Sequence, residues 1–280
     1  MFDANAAYKA WLERAYDATA ASRDDSRWRN VSAEHDALER HILNAGRPSI
    51  GDRVLELGCG TGTLTRKLAH AVGARGRVEA IDLSTEMLRE AMTHFMHPAI
   101  EFRKADFDSI DLDASSFDSI YSKWAVELSS DVRALLRKMV CGLTATGRLV
   151  VLTVGDPACS TVSRAARFIR HGFFAPADES HGTPSAFALA SEARLVETAH
   201  WAGLGNAAAT SYVSRIAFSS LAELVEWLCE TQGPIKGLLR RLPVERRVEA
   251  KAALSEFLSA GPESEAVASQ QSILLAGSLR

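Results

Sequence analysis

The chain has few cysteines, and none of them stands in a metal-binding or redox motif. The four cysteines, Cys59, Cys141, Cys159 and Cys229, are scattered along 280 residues and form no C-x-x-C pair. Zinc and redox motifs therefore have no support in the sequence. We expect no metal ion, reduced thiols and a cytoplasmic location.

The chain also lacks an excess of positive charge and any long apolar run. Its 32 lysines and arginines are balanced by 35 aspartates and glutamates, which gives a net charge of −3. Without a basic stripe, the electrostatic footprint of a nucleic-acid-binding protein is missing. Charged side chains are interspersed through residues 1–21, which is unlike a signal peptide. No segment is long and apolar enough to suggest a membrane span.

Short apolar runs alternate with segments of helical periodicity, and this alternation is the main structural signal. The predicted strands are residues 53–57, 77–82, 100–104, 117–122, 148–154, 207–217 and 270–277. The predicted helices are residues 4–21, 32–44, 61–74, 84–96, 131–143, 160–171, 190–202, 221–229 and 244–258. Strands separated by helices of this length imply right-handed crossovers and an α/β fold with a mostly parallel sheet.

Three glycines follow the first predicted strand. Residues 54–62 read Val-Leu-Glu-Leu-Gly-Cys-Gly-Thr-Gly, so that Gly58, Gly60 and Gly62 form a turn before a helix. Glycine permits positive φ and a close approach of a ligand to the backbone, and the helix N-terminus offers free N–H groups. The spacing is not the dinucleotide fingerprint, because Thr63 stands where its third glycine would be. For the loop alone, a simple strand-to-helix turn is a competing interpretation.

An aspartate ends the second predicted strand, and another follows the third. Asp82 is placed to accept both hydroxyls of a ribose, although it is equally placed to favour the dipole of the following helix. Asp106 is placed to accept a hydrogen bond from an exocyclic amine. Phe107 is suited to pack on an aromatic ring, or simply in the core. Together with the glycine loop, these markers at successive strand ends indicate a nucleoside-type cofactor.

These stretches carry a family resemblance. Residues 52–154 resemble a class I S-adenosylmethionine-dependent methyltransferase of the small-molecule type, in the group of the ubiquinone/menaquinone C-methyltransferases. The matching stretches are residues 54–62, 78–88, 105–107, 117–127 and 143–153. The resemblance implies a Rossmann-like sheet of seven strands, mostly parallel with an antiparallel last strand, and a helical cap. It also implies S-adenosyl-L-methionine as cofactor and S-adenosyl-L-homocysteine as product.

The resemblance assigns cofactor contacts residue by residue. The glycine loop and the acid before it would contact the methionine part, Asp82 the ribose, and Asp106 with its neighbour the adenine. Tyr16 resembles an N-terminal element that closes over the cofactor in relatives. The full set of expected cofactor residues is Tyr16, Glu56, Gly58, Cys59, Gly60, Gly62, Asp82, Leu83, Met87, Asp106, Phe107 and Ser122.

The acceptor pocket is expected outside the central sheet. We predict an N-terminal helical cap over residues 1–48 and a methyltransferase domain over 49–280, with cap insertions at about 156–188 and 219–266. Candidate pocket residues are Trp28, Lys123, Trp124, Phe173 and Phe174. Candidates for a general base are His35, Glu127, His171 and His181. For each base candidate an ordinary structural role is a competing interpretation: exposed or loop histidines, and a helix cap for Glu127.

The segment after the fourth predicted strand restricts the acceptor. It reads Ser122-Lys123-Trp124-Ala125 and has no proline, whereas enzymes that methylate amino groups of nucleic-acid bases usually carry a proline-containing run there. We therefore expect methyl transfer to an O, N or C atom of a small organic metabolite by a monomer or homodimer. The alternatives are a methyltransferase-fold protein that catalyses a decarboxylation or cyclisation, or a C-methyltransferase of a quinone precursor.

Overall fold

The computed structural model describes residues 4–23, 29–175 and 189–279. The chain divides into two compact units. The sheet unit contains the described residues of 36–155, 184–212 and 272–280, and the helical unit contains those of 1–35, 156–183 and 213–271. Within the part of the chain that is described, no helix is long and apolar enough to cross a membrane.

Seven strands among the described residues form one sheet with the order β3-β2-β1-β4-β5-β7-β6. The strands are β1 (Arg53–Leu57), β2 (Arg77–Asp82), β3 (Ile100–Lys104), β4 (Phe117–Lys123), β5 (Leu143–Val154), β6 (Asn206–Ala217) and β7 (Val267–Ser278). The pairs β1–β2, β2–β3, β1–β4 and β4–β5 are parallel, whereas β5–β7 is antiparallel. The predicted fold class, with its antiparallel last strand, is confirmed.

The order of the parallel strands positions a ligand site. From β1 the chain proceeds first outward through β2 and β3, and then returns to β4 on the other side of β1. In open α/β sheets, ligands bind beside such a reversal, outside the carboxyl ends of the strands. The carboxyl ends of β1 and β4 lie next to each other, with Leu57 paired to Ser122.

The described helices follow the predicted alternation. They are α1 (Ala4–Asp17), α2 (Ala20–Arg23), α3 (Arg29–Gly46), α4 (Thr63–Val72), α5 (Thr85–His94), α6 (Val132–Gly142), α7 (Thr161–Phe173), α8 (Glu192–Ala202), α9 (Leu221–Thr231), α10 (Gly233–Arg241) and α11 (Val244–Ser259). Ser84 caps α5 by accepting from the Met87 N–H. Gly203, at φ 112°, ends α8 in the left-handed region, where glycine is favoured.

The helical unit has a hydrophobic core of its own, formed from α7, α9, α10 and α11. A buried acid, Glu263, accepts hydrogen bonds from Thr161 Oγ1 at 2.9 Å and from Arg164 Nη2 at 3.0 Å. A buried carboxylate is costly unless it is paired, so these bonds stabilise Glu263 in the core. They also link the start of α7 to the segment before β7.

Several elements differ from the sequence prediction, among them α10, α3 and β5. Helix α10 is not among the predicted helices. Pro234 lies in its first turn, where proline costs no hydrogen bond. Helix α3 begins at Arg29 rather than at residue 32. Strand β5 begins at Leu143 rather than at residue 148.

Candidate functional site

The glycine loop after β1 is built from left-handed backbone. Gly58, Gly60 and Gly62 have φ values of 72°, 56° and 84°, a region that is costly for residues with a Cβ. The N–H groups of Gly58 and Cys59 both donate to Ile81 O, at 2.8 and 3.0 Å. These bonds fasten the start of the loop to β2.

Each glycine of the loop meets different surroundings. A Cβ on Gly58 would lie 2.3 Å from the Cβ of Ala125, and one on Gly62 would lie 3.1 Å from Ala91 and from Phe95. A Cβ on Gly60 would meet no atom within 4 Å. Packing therefore leaves no room for a Cβ at Gly58 and little at Gly62, whereas Gly60 has open space in which a ligand can approach the backbone.

The Asp82 carboxylate connects the glycine loop to the following helix. One oxygen accepts from the Gly60 N–H at 2.8 Å and the other from the Ser84 N–H at 2.9 Å. Asp82 is at the end of β2 and is only partly buried. The loop, the carboxylate and the start of α5 thus form one fixed edge, with Leu83 half-buried and Met87 buried beside it.

Glu56 is a buried acid at the end of β1. It is 1% exposed and accepts a hydrogen bond from Thr65 Oγ1, on the first turn of α4, at 2.6 Å. Burial raises its pKa from 4.5 to about 8, because the bond from Thr65 and the nearby Lys123 only partly offset the loss of hydration. At neutral pH the neutral acid is the favoured form.

A buried ion network adjoins the glycine loop. Glu39 of α3 is bonded to Lys123 at the end of β4 and pairs with Lys67 of α4 at 2.7 Å. It also accepts from Thr63 Oγ1 at 2.8 Å. Burial alone would raise the pKa of Glu39, but the two lysines and the hydroxyl lower it to about 2.

Asp106 and Phe107 follow β3 with different surroundings. Asp106 Oδ1 accepts from the Asp108 N–H at 3.0 Å, an Asx-type turn that fixes the carboxylate beside the strand end. Phe107 is 6% exposed and belongs to the main hydrophobic cluster of the sheet unit, with Ile81 and Ile110. Of the two interpretations of Phe107, packing in the core is therefore the one that the structure shows.

The segment after β4 is held by side-chain bonds. Ser122 Oγ donates to Leu57 O at 3.0 Å, and Lys123 Nζ also contacts Thr63 Oγ1 at 3.1 Å. Trp124 adopts φ 52°, which is uncommon for a bulky residue, and its Nε1 donates to Ser272 Oγ at 3.1 Å. Strain at such a position is typical of functional segments.

Glu127 lies in a single 3-10 turn and is 4% exposed. It accepts from Thr153 Oγ1, near the end of β5, at 3.2 Å. Burial raises its pKa to about 7, despite hydrogen bonds from Thr153 and from backbone N–H groups. Glu127 does not cap α6, because Asp131 does so through the Ala134 N–H.

The remaining predicted site residues belong to the helical unit or lie outside the described residues. Tyr16 is on α1 and His35 on α3, both half-buried, and His171 is exposed near the end of α7. Phe173 and Phe174 pack beside the helical core and beneath arginines, with Arg246 5.1 Å from the first ring and Arg241 4.8 Å from the second. Trp28 and His181 lie outside the described residues.

Three residues of the site were missed by sequence reasoning. Glu39 contacts Lys123. Thr63 donates to Glu39, and Thr65 donates to Glu56. The threonines stand beside the predicted loop, so their position was a usable signal. Glu39 is far away in sequence and resembles any other acid on an amphipathic helix. In the described part of the chain, no group of three or more His, Cys, Asp or Glu side chains is placed to bind a metal ion.

Comparison with known proteins identifies this arrangement. Residues 54–147, which contain the glycine loop, Asp82, Asp106 and Glu127, match a family described as a methyltransferase domain. Residues 54–147 form a methyltransferase domain. This match bears out the family resemblance of the motifs around it.

Relatives of the methyltransferase domain include enzymes of quinone biosynthesis. The ubiquinone/menaquinone biosynthesis C-methyltransferase of Hahella chejuensis is 28% identical over 158 residues, which is 55% of this chain and 64% of the relative. The chain thus spans less than two thirds of that protein's length.

Two solved structures share the fold. A candidate methyltransferase from Bacillus halodurans C-125 superposes with a TM-score of 0.60 at 14% identity, over 87% of this chain and 99% of that one. Phosphoethanolamine N-methyltransferase 2 of Haemonchus contortus, in complex with S-adenosyl-L-methionine, superposes with a TM-score of 0.52 at 16% identity. The superposition covers 87% of this chain and 53% of that one.

Proposed function

We propose that the protein transfers a methyl group from S-adenosyl-L-methionine to an O, N or C atom of a small organic metabolite. The observation that carries the proposal is the open space at Gly60, next to the Asp82 carboxylate, at the carboxyl end of the parallel strands. A Cβ at Gly60 would project into that space. The family match over residues 54–147 supports the same cofactor.

The residues of the sheet unit fit this cofactor in their chemistry. The half-buried Asp82 is placed to accept the two ribose hydroxyls, while its bonds to the Gly60 and Ser84 N–H groups keep it oriented. The loop backbone and Glu56 take the methionine part, and Asp106 takes the adenine amine. When bound, the sulfonium supplies an electrophilic methyl group for an in-line displacement, so the protein's task is alignment and exclusion of water.

Ionisation of the acceptor is the one proton step that such a transfer needs, and only for a hydroxyl or an acidic carbon. Glu127 is a candidate base in the sheet unit, because its pKa of about 7 makes the group both an acid and a base near neutrality. Its burial and its bond from Thr153 also suit a structural role. His35 and His171 stay candidates in the helical unit.

The nature of the acceptor is inferred from one segment and from charge. The residues after β4, Ser122-Lys123-Trp124-Ala125, contain no proline, and the net charge of −3 lacks the positive excess typical of nucleic-acid-binding proteins. The family match ends at residue 147, so it carries no information about later residues. We include a monomer or homodimer and a cytoplasmic location in the proposal; the four free cysteines support the location.

Transfer of a labelled methyl group tests the proposal. The purified protein is incubated with methyl-labelled S-adenosyl-L-methionine and fractionated metabolite extracts, with a Gly60→Ala variant as the matched control. We expect label in a small organic product with the wild type and strongly reduced label with the variant. Cofactor binding without transfer to any fraction would favour the decarboxylation or cyclisation alternative. A labelled quinone precursor would favour the C-methyltransferase alternative.

A further inference from the structure

The burial of Glu56 is not explained by a task of aligning the methyl donor with its acceptor. It is buried at the end of β1, directly before the glycine loop, with a hydroxyl 2.6 Å from its carboxylate. A single hydroxyl compensates poorly for the hydration that an ionised carboxylate loses on burial. The structure therefore contains an acid whose charge is disfavoured at the point where a ligand would reach the loop.

The lysines of the adjoining ion network are already engaged. Lys123 is bonded to Glu39, and Lys67 is paired with both Glu39 and Asp36. The two cations and the two acids of α3 cancel, so that an ionised Glu56 would add an uncompensated negative charge beside Asp82. The negative charges of Glu39 and Asp82 both raise the pKa of Glu56 further.

The other titratable groups around Glu56 hold one state near neutrality. Glu39, from α3, has a pKa lowered to about 2 and stays ionised. Tyr121, the register partner of Glu56 on β4, has a pKa raised to about 12, chiefly by burial. Burial also raises the pKa of the Cys59 thiol well above its ordinary value. Lys123 of β4 and Asp82 of β2 complete the set of charged neighbours.

We infer that the free protein holds Glu56 as a neutral acid, and that binding of the ammonium-bearing end of the cofactor converts it to a carboxylate with release of one proton to solvent. This inference rests on the proposed function. A positive group beside a buried carboxylate favours the charged form, and here the ligand would supply the charge that Lys123 and Lys67 do not. The O–H bond of Glu56 breaks, its electron pair stays on the carboxylate, and the proton leaves to buffer.

Calorimetry in buffers of different ionisation enthalpy measures this release. S-adenosyl-L-homocysteine is titrated into the protein between pH 6 and 8, and 5′-methylthioadenosine, which lacks the ammonium and carboxylate groups, serves as the matched ligand. With the first ligand we expect release of close to one proton at pH 6, falling to about half a proton at pH 8, and with the second ligand none. The affinity for S-adenosyl-L-homocysteine should therefore increase with pH, by about tenfold for each pH unit between pH 6 and about 7.5, because binding releases one proton.

Two variants identify the group. Glu56→Gln keeps the shape but cannot release a proton, so its affinity should not change over this pH range. Thr65→Val removes a bond that favours the charged form, so the pH at which the affinity levels off should move upward. Glu101→Gln, at an exposed acid of β3 that pairs with Arg77, should behave as the wild type.

The outcomes separate the two proposals. Binding of S-adenosyl-L-homocysteine without proton release, or with the same release in Glu56→Gln, overturns the inference and leaves the cofactor assignment intact. No binding of S-adenosyl-L-homocysteine by the wild type overturns the proposed function, and the inference with it.

Discussion

The middle glycine of the loop distinguishes a ligand site from a simple turn. Gly60 and Gly51 both have positive φ, 56° and 95°, and a Cβ on either would meet no atom within 4 Å. Gly60→Ala and Gly51→Ala should therefore each cost about 1 kcal/mol of stability, from backbone strain alone. Only Gly60→Ala should weaken binding of S-adenosyl-L-homocysteine, by more than about tenfold, or 1.4 kcal/mol. Urea unfolding and calorimetry on both variants measure the two effects; equal affinities would contradict a ligand at Gly60.

Gly58 has a packing reason that a second substitution can test. A Cβ at this position would lie only 2.3 Å from Ala125 Cβ, an overlap that Gly58→Ala would have to relieve at a cost of about 2 kcal/mol or more. Adding Ala125→Gly should restore part of that loss. A double-mutant cycle by urea unfolding gives the coupling energy; additive effects would show that the two residues do not meet.

Glu39 joins α3 to the segment that follows the glycine loop through its contacts with Lys67 and Thr63, and to the end of β4 through Lys123. Because its pKa is lowered from 4.5 to about 2, its ionisation contributes stability that is present above pH 4.5 and lost as the pH falls through 2. A pKa difference of this size corresponds to about 3 kcal/mol. Glu39→Gln should therefore lower the free energy of unfolding by about that amount at pH 7, with a smaller difference as the pH falls below 4.5.

Glu101→Gln provides the comparison for Glu39. Glu101 is about half exposed and pairs with Arg77, and exposed pairs contribute less than about 1 kcal/mol. Urea unfolding of both variants at pH 7 and at pH 3 measures the contrast. A loss in Glu39→Gln no larger than that in Glu101→Gln would contradict the buried network.

Local elements could be predicted from sequence wherever periodicity and caps agreed. Strands β1, β2 and β3 have the predicted bounds, and Ser84, at the predicted start of its helix, caps α5. The Gly233-Pro234 pair lies in the first turn of α10, a helix that is not among the predicted ones. Local preference could not decide between a break and a helix start, because the buried face of α10, including Ile235 and Leu238, depends on packing within the helical core.

The convergence of the candidate cofactor residues at one sheet edge was predictable for a similar reason. Gly58, Gly60, Gly62, Asp82 and Asp106 are near strand ends, and a parallel sheet brings successive carboxyl ends to one edge. Glu39 was not predictable, because its contact with Lys123 joins residues that are distant in sequence. The bond between Thr153 and the buried Glu127 was not predictable either, because these two residues are also distant in sequence.

Across the whole molecule, two buried acids should govern stability near neutral pH. Glu56 and Glu127 have pKa values raised from 4.5 to about 8 and about 7. The folded state holds these protons more tightly than the unfolded chain. The stability they contribute is therefore full below pH 4.5 and is lost as the pH rises through 7 and 8.

Glu127→Gln isolates one of these acids. The amide keeps an acceptor for the Thr153 hydroxyl and carries no charge, so the variant should be more stable than the wild type at pH 8, by up to about 3 kcal/mol, and similar at pH 5. Urea unfolding from pH 5 to pH 9 measures the difference. Parallel pH curves for the two proteins would contradict the raised pKa of Glu127.

A nucleoside cofactor between the glycine loop and Asp82 is the basis of the proposed function. It is tested by calorimetric titration of S-adenosyl-L-homocysteine into the wild type, Asp82→Asn and Asp131→Asn. Both aspartates accept backbone N–H groups near a helix start, and asparagine retains that ability. Only Asp82 would also accept ribose hydroxyls. We expect binding by the wild type, unchanged affinity in Asp131→Asn, and a loss of about tenfold or more in Asp82→Asn. Equal affinity in all three proteins, or no binding by the wild type, would contradict a cofactor at this edge of the sheet.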